Sequence, residues 1–388
     1  MMLSGGLQLS SSADLGWLRR KTPPKTTGNN EIRSVDLFSG CGGLTLGVRE
    51  ACRRMGMGHA VELASEINPD IFRIYKKNFN PRIPLEGDIL EYFDGEVSDS
   101  QLTENEGLLV DDYPGLVSPD LLVGGPPCQG HSDLNNHSRR EDPRNSLYFS
   151  MIRAAKVLRP RAIIIENVQT VIHSKEEVVQ TSIRILEEMG YYIADSILKA
   201  EDFGVPQLRR RHFLVASMDS EPDFSILDSY KISKPRSLRW AIRDLFSAYD
   251  EESVFNSSAN SSSENRRRMR WLLKNDKFDL PNEHRPPCHQ NGHNYPAVYG
   301  RMRWENPAHT ITAGFGSNGQ GRFMHPDHPR TLTPHEAARV QTFPDWFDFS
   351  DHKGKRSTLS KSIGNAVPPL LSMYVSVVAL KSLKQGFC

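Results

Sequence analysis

DLFSGCGGLTLG, residues 36–47, carries Gly40, Gly42 and Gly43 between an apolar run and an amphipathic one. Glycines at a strand-to-helix corner let backbone approach a ligand while the first N–H groups of the new helix face it. The stretch therefore reads as the ligand-binding corner of an α/β sheet, suited to a nucleoside or nucleotide. It lacks the lysine of a phosphate-binding P-loop. Tight packing alone would also use such glycines, so the flanking residues have to decide.

Outward from that corner, short apolar runs alternate with amphipathic stretches from Arg33 to Ser217, the rhythm of an α/β fold with a largely parallel sheet. Candidate strands are 34–38, 61–66, 120–123, 161–166, 192–198 and 211–217. Candidate helices, with apolar residues at three- and four-residue spacing, are 44–55, 69–78, 146–158 and 175–189, the last stopped by Gly190. After Ser217 the rhythm gives way to Ser, Asn, Pro and Gly, with a low-complexity run at 256–265 and a polar, glycine-rich one at 314–321. Periodicity returns at 333–341 and 370–383, as helices that dock back on the first body. The expected division is a loose extension at 1–31, a first domain at 32–216, a loop-rich unit at 217–327 and a completing segment at 328–388.

The 388 residues suit one large domain with a smaller companion, and 38% hydrophobic with 24% charged residues is ordinary for a globular chain. No uninterrupted apolar run spans a bilayer, and the start, with Arg19, Arg20 and Lys21, lacks a secretory leader, so a cytoplasmic protein with no membrane role is expected. Five scattered cysteines, an odd number, argue against a disulfide framework. A net charge of +1 gives no global field for nucleic acid and leaves local patches open.

Further residues carry chemistry. Glu66 closes the second strand and Asp88 follows a short extended piece, places where acids hold ribose hydroxyls or cap turns. GGPPCQGHS, residues 124–132, has two prolines stiffening a loop that leaves an apolar strand and presents Cys128, a candidate nucleophile if positive neighbours favour its thiolate. Glu166, after the apolar run Ala162–Ile165, ends a buried strand, where poor solvation suits a proton donor. In QLRRR, residues 207–211, alternation sends Arg209 and Arg211 to one face and Arg210 to the other.

Taken in order, these segments resemble the cytosine-5 DNA methyltransferase family. DLFSGCGG, GDI, GGPPCQG, ENV, QLRRR, RTLTPHEAARVQTFPDWF (330–347) and GNAVPP (364–369) all occur in register, over about Val35 to Leu371. The resemblance implies a Rossmann-like class I methyltransferase sheet with helices on both faces and a smaller target-recognition domain. It implies S-adenosylmethionine as cofactor, no metal, and double-stranded DNA as partner. Cys128 would attack carbon-6 of a flipped-out cytosine, Glu166 would hold ring nitrogen-3, and Arg209 and Arg211 would hold the base carbonyl. Phe38 would face adenine, Gly40 and Gly43 the methionine end, Glu66 the ribose and Asp88 the adenine amino group. Ser39, Cys41, Ile67, Ile89, Gly125, Pro127, Leu147, Asn365 and Val367 complete the expected cofactor contacts. Gln129, Ser132, Gln207, Arg266, Arg301 and Arg303 are the expected DNA contacts. A monomeric bacterial enzyme, paired with a restriction or defence system, fits this architecture.

Two features depart from the family pattern. His131 stands where most relatives carry phenylalanine, and Cys288, His289 and His293 cluster without a closed zinc spacing. Among rivals, an RNA methyltransferase on the same scaffold is nearest, and the long middle region favours duplex reading over it. A nicotinamide oxidoreductase leaves the cysteine loop and arginine strand unexplained. Intact Cys128, Glu166, Arg209 and Arg211 disfavour a silent DNA-binding regulator. A zinc deaminase lacks its His-x-Glu and Pro-Cys-x-x-Cys ligands.

Overall fold

The computed structural model describes residues 11–25, 28, 30–127, 145–173, 177–290 and 297–384. In chain order the first body comprises α1 (Ser11–Leu18), β1 (Glu31–Leu37), α2 (Gly43–Arg54), β2 (Gly58–Glu66), α3 (Pro69–Phe79), β3 (Ile83–Glu86) and α4 (Glu104–Asp112). It continues through β4 (Leu121–Gly124), α5 (Asn145–Leu158), β5 (Ala162–Val168), α6 (Val178–Glu188), β6 (Tyr192–Lys199), β7 (Gln207–Leu208) and β8 (Arg210–Ser217).

Among the described residues, seven strands make one sheet in the order β3-β2-β1-β4-β5-β8-β6. β1 to β5 run parallel and β6 runs with them, as a largely parallel sheet requires, while β8 alone of the seven runs antiparallel, between β5 and β6. Alternation along the central strands feeds two cores. Leu121, Val123, Ala162, Ile164, Phe213 and Val215 meet α2 on one face, whereas Leu122, Ile163, Ile165, Leu214 and Ala216 meet α5 and α6 on the other. Strands buried on both faces have to be apolar at every position, hence runs such as Ala162–Ile165.

The remaining elements are α7 (Leu238–Ile242), α8 (Ser263–Lys274), β9 (Ala308–His309), α9 (Pro334–Val340), α10 (Arg356–Asn365) and α11 (Pro369–Ser382). By composition Arg356–Ser382 would pass for a membrane span, yet the break at Ala366–Pro368 divides it and 89% of its most apolar window is buried. α11 packs on α2, β5 and β8, so its apolar surface serves the core. The middle region has its own small core of Met269, Leu272, Leu280, Val298, Tyr299 and Met324, while Leu238, Ala241, Ile242 and Leu245 join the body around α9.

The loose leader expected at 1–31 does not describe α1 or the residues just after it. Trp17 and Leu18 are buried, and Leu18 accepts a hydrogen bond from the Asp345 N–H at 3.0 Å. Asp14, 2% exposed, pairs with Arg236 at 2.6 Å and with Arg54 at 3.4 Å. Removing one member of a buried pair strands the other's charge. Asp14→Ala is therefore expected to lower stability by roughly 3 kcal/mol, read as a lower urea midpoint.

Candidate active site

Leu37 pairs with Gly124, and Gly124 with Ile165, so Phe38 and Gly125 leave the ends of β1 and β4 beside Glu166, which lies where β5 still pairs with β8. The chain reverses its direction across the sheet between β1 and β4, and such a switch point opens a crevice at the strand ends. Phe38 (φ 56°) and Gly40 (φ 55°) both take the left-handed conformation as the corner turns. A Cβ added at Gly40 would meet nothing within 4 Å, leaving room beside the loop.

The Glu66 carboxylate accepts hydrogen bonds from the Gly40 N–H at 3.0 Å and the Asn68 N–H at 2.9 Å, and its burial raises its pKa. It thereby ties the loop to the end of β2. Ile67, beside it, is 66% exposed, a large apolar side chain left open at a strand end. The Ser39 hydroxyl is buried without a partner among the described residues. Asp88 caps the Leu90 N–H at 3.1 Å, and Ile89 turns into the core. Leu147 is half-buried against that same core. Val367 is buried, and its carbonyl abuts Gly43 so closely that a Cβ there would collide with it, whereas Asn365 is exposed. Cys41 departs from its expected cofactor role as a side chain. Its thiol is buried on the Ser362 carbonyl at 3.2 Å, and burial pushes its pKa far up.

Sequence reasoning passed over Asp36. Its buried carboxylate accepts from the Thr45 hydroxyl, which also meets the Tyr75 hydroxyl at 3.0 Å, and burial pushes its pKa up to about 7. The triad ties β1 to α2 and α3 beneath the glycine corner. An acid inside an otherwise apolar strand was the available signal.

Glu166 and Arg211 come together as expected. Glu166 pairs across the sheet with Phe213, two positions from Arg211, so both project to one face. Arg211 Nε lies 2.9 Å from Glu166 Oε1, with both side chains largely buried. Burial lowers the Arg211 pKa, and the carboxylate opposes that shift. Arg209 does a different job. It is 2% exposed and donates to the carbonyls of Ile311 and Ala366, each at 3.1 Å, and burial and then the charge of Arg211 hold its pKa well below the usual range. It braces the site from behind.

Asn167, also passed over, donates to the Pro126 carbonyl at 3.2 Å and so anchors the loop one residue before the exposed Pro127. A Cβ at Gly125 would lie 3.2 Å from Glu166 Oε2, which sets the start of that loop against the carboxylate. Cys128, Gln129, His131 and Ser132 lie outside the described residues.

Two expected DNA contacts are corrected. Gln207 is fully buried and bonded to Ile311 and Gln341, so it cannot reach a duplex. Arg301 is mostly buried and committed to the Pro326 carbonyl at 2.5 Å and to Asp276 at 3.0 Å. Arg303 is exposed and rests its guanidinium 3.6 Å over the Phe278 ring, on a cleft of about 290 Å³ shared with Leu208, His309 and Arg322. Arg266, Arg267 and Arg270 are exposed on α8 without an acidic partner among the described residues, whereas Arg268 is paired with Glu264 at 3.3 Å. Among the described residues no group of three or more His, Cys, Asp or Glu could hold a metal, and His293 lies outside them.

The strand order, the glycine corner held by an acid on the next strand, and the Glu166–Arg211 pair define a Rossmann-like methyltransferase that uses S-adenosylmethionine. The chain belongs to the C-5 cytosine-specific DNA methylase family, whose profile matches residues 32–378. It is 43% identical to the type II methyltransferase M1.BsuMI of Bacillus subtilis strain 168 over 370 residues, 95% of this chain and 85% of the relative. It is 30% identical to the type II methylase M.HgiDII of Herpetosiphon aurantiacus, over 90% and 94% of the two chains. The fold is shared with the Dnmt2 methyltransferase of S. pombe at a TM-score of 0.61 and 18% identity, covering 90% and 98%. The protein is a DNA cytosine-5 methyltransferase.

Proposed function

We propose that this enzyme methylates a flipped-out cytosine in duplex DNA through a covalent adduct on Cys128, as the modification partner of a bacterial restriction or defence system. The observation that carries the reading is the buried Glu166–Arg211 pair, set against Gly125 at the root of the cysteine loop. The relatives' description as type II methyltransferases supports the modification role. We infer a monomer acting in the bacterial cytoplasm.

The residues present fit S-adenosylmethionine. The room beside Gly40, the unpartnered Ser39 hydroxyl and the open face of Ile67 provide space, a polar contact and an apolar surface in one corner. Phe38, Glu66, Asp88 and Val367 would hold it there, and when bound it supplies an electrophilic methyl group. Cytosine carbon-5 is a poor nucleophile on its own. The Cys128 thiolate adds to carbon-6, Glu166 holds ring nitrogen-3 as it takes a proton, and Arg211 steadies the base carbonyl. Carbon-5 then takes up the methyl group as that group's bond to the sulfonium sulfur breaks, the electron pair staying on sulfur in the departing thioether, and carbon-5 afterwards loses its proton to solvent. The electrons of that C–H bond restore the ring double bond as the carbon–sulfur bond breaks and nitrogen-3 gives up its proton. Stacked in a duplex, both ring carbons are out of reach, so the base must leave the helix.

Methyl transfer from labelled S-adenosylmethionine, run side by side on duplex DNA and tRNA and followed by sequencing of the modified cytosines, tests this reading. Label confined to DNA is expected, and label confined to tRNA contradicts it. On this reading the exposed Arg266, Arg267 and Arg270 would meet phosphates, and Arg303 a base edge. Replacing the three α8 arginines by alanine is expected to flatten the salt dependence of binding by about 0.9 in log–log slope for each phosphate left without its cation. Arg303→Ala should leave that slope nearly intact and narrow the gap between target and random duplex. Binding titrations across a salt series separate the two effects.

A further inference from the structure

Where the chain returns from the middle region, at residues 311–313, it seats on residues 363–366, next to the cofactor corner, and buried side chains join the two. Gln207 accepts from the Ile311 N–H at 3.0 Å and donates to the Gln341 side-chain carbonyl at 2.6 Å. Gln341 in turn donates to the carbonyls of Ile363 at 2.6 Å and Ala366 at 3.2 Å. Both glutamines are 0% exposed. An N–H can only donate and a backbone carbonyl can only accept, so the two ends fix the orientation of both amides. Arg209 runs in parallel, from the Ile311 carbonyl to the Ala366 carbonyl.

Packing repeats the link. A Cβ at Gly364 would strike the backbone of Thr312 and Ala313, and one at Gly43 would strike the Val367 carbonyl. Residues 363–367 are thus clamped between the returning chain and the glycine corner. A displacement at Ile311 has to break a buried hydrogen bond or carry Ala366 with it.

We propose that Gln207 and Gln341 are positioning residues that couple DNA binding by the middle region to cofactor binding at the glycine corner. This rests on the functional reading above. Each ligand, by fixing its own side of the chain of hydrogen bonds, favours the arrangement that the other requires. Because the coupling is an equilibrium property, it is reciprocal.

Calorimetry of S-adenosylhomocysteine binding to the full chain, with and without duplex carrying the methylated site, gives the coupling ratio. For the wild type, tightening by about fivefold or more is expected. Gln341→Met keeps side-chain length and removes the amide, and it should bring the ratio close to one while each ligand's separate affinity changes by less than about twofold. Gln207→Met breaks the same chain from its other end and serves if Gln341→Met does not fold. A purely structural role would instead weaken both separate affinities and leave the ratio unchanged. A wild-type ratio of one, or folded variants that keep the wild-type ratio, overturns the proposal. Failure of the wild type to methylate DNA at all would overturn the functional reading instead.

Discussion

Cys128→Ser is expected to lower methyl transfer by more than about 10³-fold while duplex binding stays within a few-fold of wild type. A serine hydroxyl stays protonated at neutral pH, where a thiol beside positive charge yields thiolate. The carboxylate set against the loop root at Gly125 is Glu166, and it is engaged by Arg211 rather than free to activate a hydroxyl. The DNA contacts proposed for α8 and Arg303 use other side chains and are expected to survive the change. Single-turnover methyl transfer together with a duplex titration reads both halves of the expectation.

Arg211→Ala is the second large effect, a fall of about 10² to 10³ in kcat. Its guanidinium is the counter-charge to a carboxylate buried at the end of β5, and its loss leaves Glu166 in a dry site without that ionic partner. The catalytic loss should exceed the stability loss. Arg211→Lys, which restores the charge without the planar fork, is expected to recover stability more fully than rate. Urea midpoints measured beside kcat and KM distinguish catalysis from folding: a matched fall in stability with an unchanged kcat for the folded fraction would remove Arg211 from the chemistry.

Much of the sheet was legible because strands buried on both faces must be apolar throughout, as in Leu121–Val123 and Ala162–Ile165. The direction of β8 was not legible, since an apolar run has the same composition either way. β3 was legible only as a short extended piece before Asp88, because Pro84 and an edge position leave it one buried residue. Docking of α1 depends on distant residues: Asp14 meets Arg236 across 222 positions of sequence, Leu18 meets Asp345 further on still, and no local pattern announces either. In the site, Glu166 and Arg211 were legible from strand ends and alternation. Gln207 was misjudged because a polar residue before an arginine run reads as surface, and its partner Gln341 stands 134 positions on. Arg301 and Arg303 look alike in sequence. Both guanidiniums lie over the Phe278 ring, and only the placement of Asp276 and the Pro326 carbonyl separates the committed side chain from the available one.

Duplex containing 5-fluorocytosine at the modified position tests the covalent step most directly, because fluorine cannot leave carbon-5 as a proton does. Incubated with the enzyme and S-adenosylmethionine, it should yield a denaturant-resistant protein–DNA adduct that peptide mapping places on Cys128. An adduct mapped to another residue, or turnover of unsubstituted duplex with no adduct on the fluorinated one, would contradict the mechanism.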